Sequence, residues 1–98
     1  MKVEFTERAV TDLRNVSADS RQRFGDAVAA ALERRIQEIV AHIANFPEGA
    51  PEVIMRPGVR FASLGRYPYR IFYRILENRV RILHIRHTSR RPWRGEGN

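Results

Sequence analysis

After a short alternating start, the spacing of apolar residues passes from helical to alternating, and divides the 98 residues of the chain into two unlike halves. Lys2–Thr6 alternates, with Val3 and Phe5 on one side, and predicts a short strand. Thr6 then offers a side-chain oxygen as a helix cap, and Glu7 stands in the first turn, where the helix dipole favours an acid. Ala9, Val10, Leu13 and Val16 follow at helical spacing and predict a helix over residues 7–16. Ser17-Ala18-Asp19-Ser20 reads as a break with fresh cap residues. Phe24, Val28, Ala31, Leu32, Ile36, Ile39, Ile43 and Phe46 then step by three or four, one continuous apolar stripe. Glu33, Arg34, Arg35 and Glu38 fall off that stripe, and Arg34 and Glu38 are placed to pair one turn apart. Phe46-Pro47 ends the helix, because the residue before proline is pushed out of the helical region.

Glu48 to Gly58, rich in proline and glycine, reads as a loop, and from Val59 the period is two. Val59–Leu64, Tyr69–Leu76 and Arg79–His87 read as strands, with Glu77-Asn78 as the turn between the last two. The order β-α-α-β-β-β predicts an α+β domain, a helical hairpin packed on one face of a small, mainly antiparallel sheet. We expect a single domain over residues 1–93, with residues 94–98 a disordered tail.

Centring the last hairpin on Glu77-Asn78 pairs Ile75 with Val80, Tyr73 with Ile82 and Ile71 with His84, a nearly apolar face assigned to the helices. The same register sets Phe72 opposite Leu83, Arg74 opposite Arg81 and Arg70 opposite Ile85 on the other face. Phe72, Leu83 and Ile85 would then form an apolar patch with no helix left to cover it. Arg74 and Arg81 would be like charges directly opposed, unfavourable by a fraction of ~1 kcal/mol. An acidic, amphipathic peptide would relieve both, its carboxylates gripped by the arginine forks. A curled sheet covered by its own arginine stems is the alternative.

Charge sharpens that picture. Residues 1–49 carry 7 basic and 8 acidic side chains, whereas residues 50–98 carry 11 arginines against Glu52, Glu77 and Glu96. The whole excess of +7 therefore sits in the second half and points to an anionic partner, nucleic acid or an acidic protein segment. No apolar run approaches the ~20 residues needed to cross a membrane, and the start lacks a secretory h-region. The absence of cysteine excludes thiol catalysis, disulfides and Cys-based zinc sites, and a reducing cytoplasm is the expected compartment. His84 and His87 stand three apart on a strand and so face opposite ways, which argues against a metal site. His42 flanks the apolar stripe as a boundary residue. Ser63, Thr88 and Ser89 have no visible His-Asp partner set, so a hydrolase reading is poor. No helix-turn-helix accompanies the basic strands, which argues against direct operator binding.

The run Tyr69-Arg70-Ile71-Phe72-Tyr73-Arg74, then Val80–Ile85 and Arg86-His87-Thr88-Ser89-Arg90-Arg91, resembles the ParE/RelE superfamily of toxins from type II toxin–antitoxin operons. Phe5-Thr6-Glu7-Arg8-Ala9, Ala44-Asn45-Phe46-Pro47-Glu48-Gly49 and Val59-Arg60 carry the likeness through the rest of the chain, from about Val3 to Trp93. The resemblance implies the same β-α-α-β-β-β fold and an antitoxin whose C-terminal segment wraps the toxin. Operator DNA would then be bound only through the antitoxin. Part of the antitoxin contact falls on Arg70, Phe72, Arg74, Arg81, Leu83 and Ile85.

Within that superfamily, ParE-like members inhibit DNA gyrase by protein–protein contact, without cofactor or metal, and RelE-like members cleave messenger RNA on the ribosome. RNA cleavage through the 2′-hydroxyl needs a proton acceptor, a proton donor and cations on the phosphate. Arg70 matches the motif arginine of RelE-like enzymes, and Arg86 and His87 complete the catalytic set of that alternative. The only lysine is Lys2, in the first strand, and Arg56 and Arg60 hardly give up a proton. Trp93 stands near the position of a C-terminal tyrosine and cannot transfer one either. The ParE-like branch is therefore favoured, with no catalytic residues. The resemblance gives the C-terminal segment a part in toxicity, here His87, Arg90, Arg91 and Trp93.

Overall fold

The computed structural model describes residues 1–88. Arg90, Arg91, Trp93 and the expected tail over residues 94–98 lie outside the described residues. The elements are β1 (Lys2–Phe5), α1 (Glu7–Phe24), α2 (Asp26–Asn45), a 3-10 turn (Pro47–Gly49), β2 (Glu52–Val53), β3 (Arg56–Ser63), β4 (Tyr69–Ile75) and β5 (Arg79–His87). Two helices pack on a five-stranded sheet of order β1-β5-β4-β3-β2, in which β1 runs parallel to β5 and every other pair is antiparallel.

Thr6 caps α1 as its sequence predicts, its hydroxyl oxygen accepting from the Ala9 N–H at 3.0 Å. The expected break at residues 17–20 does not occur, and α1 runs on to Phe24. Ala9, Asp12, Val16 and Ser20 form its buried stripe, so two polar residues continue the apolar spacing and hide it. Asp19 supports the extra turn by accepting from Arg23 Nε at 3.0 Å. The chain reverses at Gly25, whose φ of 90° is open to glycine at little cost. The pairing expected between Arg34 and Glu38 also fails. Glu38 instead accepts from Arg35 Nη1 at 3.2 Å.

The 48–58 segment is more ordered than a loop. Glu52 pairs with Arg60 and Val53 with Arg56, which adds a two-residue edge strand and starts β3 three residues before the predicted Val59. Arg60 Nη1 donates to the carbonyls of Ala50 (2.6 Å) and Glu48 (3.2 Å), and Tyr73 Oη donates to that of Pro47 (2.6 Å). Burial of the Tyr73 phenol pushes its pKa up from the usual 10.0, so the ring stays neutral and able to donate.

The core lies between the hairpin and the sheet. Leu32, Ile36 and Ile43 of α2, with Ala9 and Val16 of α1, meet Ile71, Tyr73, Val80, Ile82 and Ile85. Each large aliphatic residue sealed there contributes ~1.5–3 kcal/mol of burial. Among the described residues no helix is long and apolar enough to cross a membrane.

The hairpin register matches expectation from Ile75↔Val80 through Tyr73↔Ile82, and then slips. A bulge at Leu83 sets Phe72 against His84, Ile71 against Ile85, Arg70 against Arg86 and Tyr69 against His87. One extra residue on one strand moves every later side chain to the opposite face. Ile85 therefore belongs to the core, 3% exposed, and not to the outer patch. His84 leaves Ile71 and comes within 6.2 Å of the Phe72 ring.

Candidate functional site

The sheet face away from the helices carries most of the residues the sequence singles out. Arg70, Phe72 and Arg74 alternate on β4, Phe61 of β3 pairs with Phe72, and Arg81 of β5 pairs with Arg74. The apolar part of this face is covered from within. Phe61 and Phe72 lie 6.1 Å apart, and the Arg70 guanidinium sits 4.7 Å above the Phe61 ring. Phe72 is 6% exposed and Leu83 half-buried, so the open patch expected from Phe72, Leu83 and Ile85 is replaced by an arginine-covered aromatic layer.

The opposed arginines also find relief within the chain. Glu4 of β1 places one carboxylate oxygen 2.7 Å from Arg79 Nε and 2.8 Å from Arg81 Nε. These bonds hold the Glu4 carboxyl below its ordinary 4.5. Arg74 has no such partner, since among the described residues no carboxylate reaches it. Gly58, at φ +83°, lets the Arg74 side chain approach the β3 backbone, where a Cβ would sit 3.2 Å from Nη1. The face thus presents Arg70 over an aromatic ring, Arg81 shared with Glu4, and Arg74 held only by position.

The far end of β5 meets α1 through a residue that sequence reading passed over. Asp12, 9% exposed, accepts from His84 Nδ1, from the Ile85 N–H at 3.0 Å and from Arg8 Nε at 3.0 Å. Burial lowers the His84 pKa below 6.5 even though the Asp12 carboxylate pulls the other way. The ring is neutral at pH 7, with its proton on the nitrogen that faces Asp12. Above this junction opens a cleft of about 730 Å³, bounded by α1, the start of α2, Tyr67–Tyr69 and the end of β5. His87 faces into it, its ring edge-on to Tyr69 at 5.1 Å. His42 lies exposed beside Phe46, ring centroids 5.2 Å apart.

The RelE-like set is only partly assembled. Arg70 and Arg86 share a rung of the ladder, but His87 stands on the next rung with Tyr69, and the pleat sends it to the other face from Arg70. Arg60 is committed to the carbonyls of Glu48 and Ala50. Among the described residues no group of three His, Asp or Glu side chains is arranged to hold a metal.

Comparison with known proteins places this arrangement in a lineage. Residues 3–92 match the sequence model of the family described as the ParE toxin of the type II toxin–antitoxin system parDE. Toxin ParE1 of Caulobacter vibrioides is 34% identical over 85 residues, covering 86% of this chain and 85% of its own. A solved chain of the chromosomal ParDE system of P. aeruginosa superposes with a TM-score of 0.79 at 26% identity, over 91% of this chain and 97% of its own. The isolated E. coli RelE toxin shares the fold, with a TM-score of 0.60 at 18% identity over 92% of this chain and 86% of its own. From the helical hairpin on its mixed sheet to the sequence match along nearly its full length, this chain belongs to the ParE toxin family of type II toxin–antitoxin systems.

Proposed function

We propose that this chain is the toxin of a two-component module, neutralised by an acidic, amphipathic antitoxin segment, and that it acts by protein–protein contact on DNA gyrase. The observation that carries the choice of mechanism is the sheet chemistry. Arg70 and His87 face opposite ways, Arg60 is spent on backbone carbonyls, and the sole lysine stands on β1. A surface that grips anions but lacks a convergent proton donor and acceptor suits binding rather than RNA cleavage. Family membership supports the same reading.

For the antitoxin, the support is the row Arg70, Arg74 and Arg81 on a layer formed by Phe61 and Phe72. Acidic side chains would take Arg74 directly and compete with Glu4 for Arg81, while aliphatic ones would lie against Leu83. His87, with Arg90, Arg91 and Trp93, is proposed as the target-facing end, and the module as a cytoplasmic hetero-oligomer. Two assays with purified toxin decide the mechanism. Loss of gyrase supercoiling with translation in vitro intact is the expected result. Codon-dependent messenger RNA cleavage with supercoiling unaffected would overturn it and reinstate Arg70, Arg86 and His87 as catalytic candidates. For the antitoxin face, changing Arg70, Arg74 and Arg81 to Glu should abolish co-purification of the co-expressed antitoxin; undiminished co-purification refutes that assignment.

A further inference from the structure

A second cationic surface lies on the other side of the molecule, where the β3–β4 turn meets α2. Gly65, at φ +71°, turns the chain so that Arg66 and Tyr67 stand beside Arg34 and Arg35. The turn is held there by Arg35 Nε, which donates to the Leu64 carbonyl at 3.4 Å. Together with Ala31 and Glu38 these four residues line a shallow cleft of about 490 Å³. Arg35 shares its charge with Glu38. Among the described residues no carboxylate pairs with Arg34 or Arg66. The Arg66 guanidinium lies over the Tyr67 ring, 5.8 Å from its centroid.

We propose that this shelf of Arg34, Arg35, Arg66 and Tyr67 binds a single strand of nucleic acid, phosphates on the arginines and a base stacked on the Arg66–Tyr67 pair. Three features select that occupant. The net charge of the lining is positive, three guanidiniums against one carboxylate, and the guanidinium fork matches a phosphate. The lining carries an aromatic ring and no Leu, Ile, Val or Met, so an amphipathic acidic peptide would find nowhere to bury its aliphatic side chains. Arginine set with a half-buried aromatic is a surface on which unpaired bases stack, on the ring or on the guanidinium plane. The shelf is separate from the β4–β5 face proposed for the antitoxin, so the two can be tested independently.

The test measures fluorescence anisotropy of a labelled twelve-nucleotide single strand against the full chain, over a range of NaCl. Wild-type affinity should fall linearly in log–log with salt. Arg34→Glu with Arg66→Glu should weaken binding at least about tenfold and flatten the salt slope by about 1.4, the expectation for two phosphate contacts on a single strand. Tyr67→Leu should weaken it about fivefold or more with the slope unchanged, since stacking releases no counterions. The control is Lys2→Glu with Arg14→Glu, the same change in net charge at exposed positions away from the shelf. If that control loses as much affinity and slope, the effect is one of overall charge and the shelf is refuted. Equal competition by polyglutamate, with Tyr67→Leu silent, would also overturn the proposal and make this an acidic-protein surface. The arginine changes are at exposed residues, and circular dichroism of each variant verifies that the fold is retained.

Discussion

Replacing Asp12 with Ala should cost this protein far more than its place on an unremarked helix turn suggests. The side chain accepts from His84 Nδ1, from the Ile85 N–H at 3.0 Å and from Arg8 Nε at 3.0 Å. The first two donors are buried, with Ile85 and His84 each 3% exposed, so alanine strands them without their acceptor. Each stranded donor costs ~1–3 kcal/mol. The Arg8 pair is partly exposed and adds less than ~0.5 kcal/mol after screening. The sum is about 2–6 kcal/mol, a large share of the ~5–15 kcal/mol that holds a typical domain together. At about 4–8 °C per kcal/mol for a chain of this size, the melting temperature should fall by at least about 8 °C. Urea denaturation followed by circular dichroism gives the free energy directly. Asp12→Asn, which keeps one acceptor oxygen, should fall between Ala and wild type. A double-mutant cycle with His84→Leu should show strong coupling, since the two substitutions remove the same bond. A loss below ~1 kcal/mol for Asp12→Ala, or additive behaviour in the cycle, would refute the idea that this carboxylate joins α1 to the bulge.

The same junction makes stability depend on pH. Because burial holds the His84 pKa below 6.5, the unfolded chain binds the proton first; stability is complete above that value and declines as pH falls through it towards the folded-state pKa, and urea midpoints of wild type and His84→Leu from pH 8 to 5 should diverge accordingly. Glu4→Gln should release Arg79 and Arg81, lower the melting temperature slightly at low salt and not at high salt, and tighten antitoxin binding by calorimetry because Arg81 no longer has a resident carboxylate to leave; weaker binding would refute the competition. Gly58→Ala should cost ~1–2 kcal/mol of left-handed strain and displace Arg74, read as a lowered urea midpoint together with weaker antitoxin binding; a neutral effect on both would show that Arg74 is not positioned by this close approach.

What the sequence made legible follows from which interactions leave a periodic trace. The centre of the apolar stripe, Leu32, Ile36 and Ile43, is the buried face of α2, and α2 ends where Pro47 requires; the ends of the stripe are not, since Phe24 belongs to α1 and Phe24, Val28 and Phe46 stand exposed. The Glu77-Asn78 turn fixes the hairpin register as far as Tyr73 and Ile82. Beyond that, the bulge leaves no compositional mark, because Leu83, His84 and Ile85 alternate acceptably in either register. Asp12 of α1 bonds to the two residues that follow it, and the available hint was a polar residue at helical spacing between Ala9 and Val16. Residues 17–20 misled for a related reason, cap-type residues serving as helix surface and core. The basic balance of the second half was plain, but that Glu4 would answer Arg81 depended on β1 crossing to the far edge of the sheet. Arg34, off the apolar stripe, looked like one half of a helical ion pair and gained significance only when the β3–β4 turn brought Arg66 beside it.

That placement of β1 bears on how the toxin comes into being. Residues 2–5 pair with residues 79–82, so β1 has no strand to join until β5 exists. Closing so long a loop is slow relative to forming the helical hairpin, whose contacts are local. During translation α1 and α2 can form early and wait, with the apolar stripe of α2 uncovered. Glu4 reaches Arg79 and Arg81 only when β1 meets β5. The arginine face therefore needs β5 as well as β1, and a nascent chain that stops short of residue 81 does not carry it.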